Sequence, residues 1–145
     1  MNKTIKNILI LVAIGIIVGL AMVYYVFNKP HRDIEGEKPA YKVEAQKFFA
    51  EYSKDEIAGD EKYGDKVVEV TGKIVDITKE GKDISIVLND EMEGINCALN
   101  IETIKNNKDR IDRLKVGDTV SLKGKCDGID MIMGIVMTQC YIVDK

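Results

Sequence analysis

The sequence contains a single histidine, His31, and no tryptophan. His31 lies in a polar segment outside every helix and strand pattern, so a folded domain has no imidazole to activate a serine or cysteine nucleophile. The sequence also lacks a glycine-rich phosphate loop and a metalloprotease motif. These absences predict a protein that is not an enzyme and that holds no cofactor.

Positive charge is also scarce where a folded domain is expected. The first 32 residues carry four Lys or Arg residues and no Asp or Glu, which leaves 17 basic and 24 acidic residues in the remainder. The whole chain therefore has a net charge of −3, and the part from Asp33 onward has −7. Binding to a phosphate backbone needs clustered Lys and Arg on one face. We therefore do not expect nucleic acid as a partner.

The N-terminus contains a long uncharged segment, Ile8–Phe27. At about 1.5 Å per residue, a helix of this length spans the roughly 30 Å hydrocarbon core of a bilayer. Tyr24 and Tyr25 lie near one end, where amphipathic rings favour the lipid headgroups. We predict a transmembrane helix over residues 8–27 that contacts the lipid bilayer, preceded by a cytoplasmic tail of residues 1–7.

A cleavable signal peptide is the alternative interpretation of this segment. Gly19–Ala21 resembles a cleavage site, but the apolar run continues six residues beyond it, and no cysteine follows to accept a lipid. The length favours an uncleaved signal-anchor. Because the N-terminal tail has only positive charge, the acidic domain is expected outside the cytoplasm.

Residues 28–40 contain both prolines and are predicted to form an extended tether. Residues 41–145 then form the folded domain, which opens with two short helices. The first carries an apolar stripe at helical spacing, made of Ala45, Phe48, Phe49 and Tyr52. The second is predicted to begin at a capping box, Ser53–Glu56, and to end near Lys62.

Alternating apolar residues predict five strands after the helices. The first, Lys66–Thr78, changes phase around Gly72–Val75, which is typical of a bent strand. The other segments are a hairpin loop at Lys79–Lys82, strands containing Ile84–Leu88 and Ile95–Leu99, a helix over Ile101–Leu114 capped by Asn100, a strand at Val120–Leu122, and a strand at Ile132–Val143. This order predicts a mainly β domain with helices: a five-stranded OB-fold barrel with a helix between strands three and four.

Three segments of this domain resemble bacterial tRNA-anti-like OB-fold proteins. They are KYGDKVVEVTGKI (62–74), LKVGDTVSLKGKCDG (114–128) and VMTQCYIV (136–143), and the linker NKPHRDIEGEKPAY (28–41) is similar as well. The similarity covers about residues 28–143. It implies the fold and a single-pass location in the bacterial cell membrane, since members often carry an N-terminal membrane segment or lipid anchor. It implies no activity.

OB-folds that bind single strands use aromatic side chains on strands two and three together with a basic groove. Here the outward positions of these strands are Ser85, Val87, Asn96 and Ala98, and neither strand contains an aromatic residue. The strand sequences therefore lack stacking surfaces and positive charge.

The three cysteines are not arranged as CxxC pairs, so a zinc site is not expected. Either all three fill the core, or one disulfide forms in an oxidising compartment. The pairing depends on the last hairpin. A turn at Asp127–Gly128 separates Cys126 from Cys140, whereas a turn near Met133–Gly134 places them almost opposite. We predict a Cys126–Cys140 disulfide, with Cys97 as a buried thiol.

Two further groups have metal-binding residue types. Soft sulfur ligands suit Cu(I), but we interpret the alternating methionines as core residues. Loop carboxylates suit Ca²⁺, but neither loop has the calcium-loop pattern. The methionines are Met131, Met133 and Met137, and the carboxylates are Asp90, Glu91 and Glu93 in one loop and Asp127 and Asp130 in another. No metal is expected.

The sequence thus predicts a membrane-tethered, non-catalytic OB-fold module that faces outside the cytoplasm and binds a protein or small-molecule partner. The partner is expected at the face of strands two and three, or at the flanking loops that contain Lys79, Lys82, Asp127 and Asp130. One alternative is a nucleic-acid-binding OB-fold protein tethered at the cytoplasmic face. Another is a small-ligand carrier.

Overall fold

A computed structural model describes residues 2–28, 32–89 and 94–143. The chain divides into two compact units, Met1–Arg32 and Asp33–Lys145. The described part of the first unit contains one helix, α1 (Lys3–Phe27), which buries none of its side chains. Its 25 residues include an 18-residue window with a mean hydropathy of 2.7, which suits a single membrane span and equally suits an N-terminal signal sequence.

The second unit is a closed barrel with a helical layer. Its elements are β1 (Tyr41–Glu44), α2 (Ala45–Lys54), α3 (Glu56–Tyr63), β2 (Val67–Glu80), β3 (Asp83–Leu88), β4 (Ile95–Leu99), α4 (Ile101–Asn106), α5 (Lys108–Arg113), β5 (Thr119–Asp130) and β6 (Gly134–Ile142). The strand order is β1-β2-β3-β4-β6-β5, and β2 also pairs with β5. That pairing closes β2 to β6 into the five-stranded OB-fold barrel that the sequence predicts.

Strand β2 closes the barrel because it bends. Its first half, Val67–Lys73, pairs with β5, and its second half pairs with β3. The register shifts between Ile74 and Asp76, which confirms the predicted bend. A bulge of this kind bends the strand, so that its two halves can pair with different neighbours.

The barrel interior is filled by the inward residues of all five strands. The alternation predicted for β3 and β4 is confirmed, since Ile86, Leu88, Ile95 and Cys97 are fully buried. Met137 and Cys140 of β6 complete this layer. The interior is therefore a packed hydrophobic core.

Helices α2 and α3 cover one side of the barrel through an aromatic cluster. Phe48 packs edge-on against Tyr63 and Tyr52, with ring centroids 4.8 Å and 5.5 Å apart. Gly72 on β2 lets the helix approach, because a Cβ at that position would lie 2.6 Å from the Cβ of Ala45. The predicted apolar stripe is confirmed as the packing face, although Phe49 lies at its half-buried edge.

The helix boundaries differ from prediction at two places. Helix α2 continues through Lys54, and the cap of α3 is Asp55, whose carboxylate accepts a hydrogen bond from the Ala58 amide at 3.0 Å. Ser53 is therefore not the cap. The single helix predicted over residues 101–114 is two helices, because Asn107 leaves the helical conformation and donates its side-chain amide to the Thr103 carbonyl.

Part of the predicted tether is folded onto the barrel. Ile34 is fully buried, and the Lys123 ammonium donates to the carbonyl oxygens of Glu35 and Glu37 at 2.6 Å and 3.1 Å. The Ala40 amide then donates to the Val67 carbonyl, and β1 follows as an unpredicted strand parallel to β2. The folded unit thus begins at Asp33, whereas the sequence places its start at residue 41.

Candidate functional site

The face formed by β3 and β4 presents short, uncharged side chains. Ser85 lies opposite Ala98, and Val87 lies opposite Asn96, in the predicted outward positions. All four are half-buried. Among these positions there is no aromatic ring and no cation, so the face offers hydrogen bonds and modest apolar area but no stacking platform.

The two loops predicted to flank this face lie at opposite ends of β4. Residue Ser85, near the β2–β3 loop, pairs with Ala98, whereas Ile95 at the other end of β4 pairs with Ile135 of the last hairpin. The structure therefore does not bring Lys79 and Lys82 together with Asp127 and Asp130.

The charged residues of these loops mostly have partners in the domain. Lys79 pairs with Asp112 of α5 at 2.9 Å, which holds the pKa of Asp112 below its usual value. Asp127 pairs with Lys125 at 2.6 Å and accepts a hydrogen bond from the Thr138 hydroxyl. Lys82 is exposed.

The β5–β6 hairpin ends in an apolar turn. Pairing reaches Asp130 and Gly134, and the turn is formed by Met131, Ile132 and Met133. The second of the two turn positions considered for this hairpin is thus correct, and β6 begins two residues after the predicted Ile132. Asp130 holds the turn, because its carboxylate accepts the amide hydrogens of Ile132 and Met133 at 2.8 Å and 3.0 Å.

These two amides also lower the pKa of Asp130, so the carboxylate stays ionised beside the apolar turn. All three turn side chains are at least half exposed, and Ile132 exposes 93% of its surface. Of the three methionines interpreted as core residues, only Met137 is fully buried, opposite Cys126, whereas Met131 and Met133 lie in the exposed turn.

A depression of about 210 Å³ lies beside this turn. It is lined by Phe49, Glu56, Ile129, Asp130, Met131 and Gly134. No sequence pattern places Phe49 or Glu56 near a site, because only the packing of α2 and α3 on the barrel brings them to the hairpin. The sequence gives one indication of this contact, which is that Phe49 lies at the edge of the apolar stripe of its helix.

A polar cluster fixes the two helices of the extension to each other. The Glu51 carboxylate accepts hydrogen bonds from the Lys62 ammonium and the Tyr63 hydroxyl, both at 2.6 Å. These two bonds lower the pKa of Glu51, and the carboxylate in turn raises the pKa of Lys62. The cluster ties α2 to α3 across the aromatic residues that cover the barrel.

We expect E51Q to remove a pH-dependent part of the stability. Since the pKa of Glu51 is lowered in the folded state, its ionisation stabilises the domain above the unfolded value of 4.5, and this contribution is lost as the pH falls through the folded value. Urea unfolding at neutral pH and at about pH 3 should show a difference between wild type and E51Q that shrinks in acid. A difference that stays constant would contradict this account.

The three cysteines are all buried thiols. Cys126 lies opposite Met137, and its Sγ is 3.2 Å from the hydroxyl of Tyr52. Cys140 lies instead against Gly124, where an added Cβ would be 2.5 Å from its Sγ. The expectation that Cys126 and Cys140 lie opposite each other is therefore wrong, because the register that starts with Asp130 opposite Gly134 reaches Met137 at Cys126.

Cys140 contacts Cys97 within the core. A hydrogen bond with the Cys97 thiol, together with complete burial, raises the pKa of Cys140. Burial also raises the pKa of Cys126. Both thiols are consequently protonated and unreactive in the folded domain at neutral pH.

The remaining metal candidates do not converge within the described ranges. Asp127 and Asp130 hold the separate partners given above, whereas His31, Asp90, Glu91 and Glu93 lie outside the described residues. Over residues 2–28, 32–89 and 94–143, the structure contains no group of three His, Cys, Asp or Glu side chains placed to hold a metal ion.

Several solved structures are similar to this chain. A candidate nucleic-acid-binding lipoprotein from Klebsiella pneumoniae is 17% identical with a TM-score of 0.55, and the match covers 79% of this chain and 99% of that chain. A candidate aspartyl-tRNA synthetase from Leishmania major is 15% identical with a TM-score of 0.48, covering 75% of this chain and 21% of that chain. The asparaginyl-tRNA synthetase of Pyrococcus horikoshii is 13% identical with a TM-score of 0.43, covering 57% and 20%.

The likeness to the Klebsiella lipoprotein shows a common fold. No curated protein matches the sequence significantly. The tRNA_anti-like family profile matches residues 1–141, nearly the whole chain. The chain therefore belongs to the tRNA_anti-like family, as its resemblance to that group suggested.

Proposed function

We propose that the protein is a membrane-tethered, non-catalytic OB-fold module that faces outside the cytoplasm and binds a partner. The observation that carries the proposal is that one chain contains both an apolar helix without buried side chains and an OB-fold unit of this family. The family and the fold suggest a binding module rather than catalysis. The positive tail before α1 supports retention of that tail in the cytoplasm.

Membrane attachment and orientation are tested together with the full chain in bacterial cells. The protein should sediment with membranes, and protease added to intact spheroplasts should degrade the unit that begins at Asp33. A variant that lacks residues 1–32 is the matched control and should remain soluble inside the cell. Protection of the full chain until lysis would reverse the orientation, and a soluble full chain would refute the tether.

Nucleic-acid binding at the cytoplasmic face is the second candidate, favoured by the fold alone. The outward positions of β3 and β4 and the net charge of −7 from Asp33 onward count against it. Labelled single-stranded oligonucleotides at low salt should therefore show no saturable binding. Tight binding that weakens steeply with added salt would establish this alternative instead.

A small-ligand carrier is the third candidate. Two depressions in the described residues measure about 210 Å³ and 270 Å³, below the roughly 300–1,000 Å³ of drug-sized ligand sites. Ligand-induced shifts in thermal unfolding across a metabolite library would favour the carrier.

An oxidised pair of cysteines is the chemical consequence of the proposed location. An oxidising compartment should join two of the three cysteines and leave one thiol. The predicted pair is Cys126–Cys140, and the contact between Cys97 and Cys140 makes Cys97–Cys140 its competitor. Alkylation of unreduced protein after denaturation, followed by mass spectrometry, should find one modified residue.

The identity of that residue separates the two pairings. A modified Cys97 supports Cys126–Cys140, whereas a modified Cys126 supports Cys97–Cys140. Protein made in the reducing cytoplasm is the control and should show three modified cysteines. Three modified cysteines in protein taken from membranes would contradict the disulfide and weaken the proposed location.

A further inference from the structure

We infer that the β5–β6 turn and its neighbouring depression dock a segment of a partner protein that combines an apolar side chain with flanking Lys or Arg residues. This inference rests on the proposed function and names the chemistry of the partner. The docking surface consists of the turn Met131–Met133 and the depression lined by Phe49, Glu56, Ile129 and Gly134.

Exposed apolar side chains of the folded unit are concentrated at this surface. In the described part of the unit, six large hydrophobic residues expose at least half of their surface, and three of them are consecutive in the turn. These six are Ile57, Ile101, Val116, Met131, Ile132 and Met133. Single exposed apolar residues are ordinary, but a contiguous group beside a depression is typical of an interaction site.

The turn is held in one conformation before any partner arrives. Strand pairing continues to Asp130 and Gly134, and the Asp130 carboxylate accepts two amide hydrogens from the turn. A preorganised apolar turn loses little conformational entropy on binding. Unbranched methionine side chains also adapt to different partner shapes.

The depression has the size of a pocket for one side chain. Its volume of about 210 Å³ lies below that of sites for drug-sized ligands, which run from roughly 300 Å³. Phe49 and Ile129 supply apolar walls, and Gly134 lets the partner approach the backbone. An aliphatic or aromatic side chain of a protein partner can enter while the turn packs against its neighbours.

Both charged side chains that line the depression are acidic. Glu56 and Asp130 line the depression, and the Asp60 carboxylate would lie 3.1 Å from a Cβ placed on nearby Gly128. Lys125, on the same strand as Asp130, is paired with both Asp127 and Asp65. A bound segment that carries Lys or Arg beside its apolar side chain would complement this rim.

The same charges disfavour the other occupants of an exposed apolar turn. Anionic lipid headgroups and nucleic-acid phosphates are repelled by the acidic rim. A second copy brings an identical rim and a net charge of −7 from Asp33 onward. A protein segment with both apolar and cationic side chains can bury the apolar turn and form favourable charge interactions with the acidic rim.

The test uses the full chain in detergent micelles and three fluorescein-labelled peptides. One peptide contains Leu and Lys, one contains Ser and Lys, and one contains Leu and Glu. By fluorescence anisotropy, the Leu/Lys peptide should bind roughly tenfold more tightly than either of the others. Its affinity should fall as salt is added, because the rim contributes charge.

Substitutions then assign the binding to the docking surface. I132S should weaken Leu/Lys binding roughly tenfold or more, since it removes apolar surface that the bound peptide would bury. E56Q should weaken binding and reduce its salt dependence. V116S is the matched control, because Val116 exposes 64% of its surface elsewhere on the unit, and it should leave the affinity unchanged. Circular dichroism should show that all three variants are folded.

Several results would overturn the inference. These are equal losses in I132S and V116S, equal binding of the Leu/Glu peptide, or no binding of any peptide. Recruitment of the variant lacking residues 1–32 to phosphatidylcholine/phosphatidylglycerol vesicles that depends on Ile132 would assign the turn to lipid. Dimerisation in sedimentation experiments that I132S abolishes would assign it to a second copy. Membrane fractionation of I132S separates this failure from failure of the proposed function, since the variant should still sediment with membranes.

Discussion

F48A is expected to reduce the free energy of unfolding by about 3–5 kcal/mol, the usual cost of truncating a fully buried phenylalanine. Phe48 is completely buried at the centre of the aromatic cluster and contacts the rings of Tyr52 and Tyr63. Truncation leaves a cavity between α2 and the barrel that neither tyrosine can fill without losing its own partner. The Tyr52 hydroxyl is hydrogen-bonded to Cys126, and that of Tyr63 to Glu51.

F49A on the same helix is the matched control for this experiment. Phe49 is half-buried at the edge of the stripe and lines the surface depression. Its truncation should cost clearly less than that of Phe48, because partial burial loses less apolar area. Urea unfolding of the unit from Asp33 to Lys145, followed by circular dichroism, measures both. Equal losses would show that α2 does not pack through Phe48.

The fate of the strand predictions shows what a sequence pattern can specify. The bend in β2 was predictable, because the apolar positions change phase along one strand and a bulge is the local way to do this. β1 was not predicted, since its residues Tyr41–Glu44 alternate over only four positions directly before the apolar stripe of α2. Its formation depends on the free edge that β2 offers after the barrel has closed.

The last hairpin shows a limit of turn residues as a guide. Asp127–Gly128 is a strong turn sequence, yet it lies inside β5, where Gly128 adopts φ +107° at a shift in register. The positive φ is used for a bulge that packs near Asp60 of α3. Because bulge and turn require the same backbone conformation, only the long-range contact distinguishes them.

The buried start of the folded unit and the docking surface could not be predicted from the sequence for the same reason, which is that both depend on contacts between distant segments. Ile34 is a single apolar residue in a polar segment, and it becomes buried because Lys123, far along the chain, holds the carbonyls of Glu35 and Glu37. Phe49 likewise meets Ile129 only through the packing of α2 on the barrel. Neither contact has a local pattern.

G134A is expected to destabilise the unit by about 2–5 kcal/mol, through two separate costs. Gly134 adopts φ +71° at the start of β6, a conformation that costs other residues roughly 1–2 kcal/mol. A Cβ at this position would also overlap the carbonyl oxygen of Gly94, and such overpacking adds about 1–3 kcal/mol. That carbonyl accepts the Ile135 amide hydrogen, so it cannot move without breaking the β4–β6 junction.

G81A separates these two costs, because it has the first without the second. Gly81 adopts φ +61° in the β2–β3 loop, and nothing lies within 4 Å of an added Cβ. Its substitution should therefore cost only the conformational part, roughly 1–2 kcal/mol. Urea unfolding of both variants of the unit from Asp33 to Lys145 gives the difference directly. If G134A costs no more than G81A, the close approach of β6 to Gly94, and with it the position of the apolar turn, is incorrect.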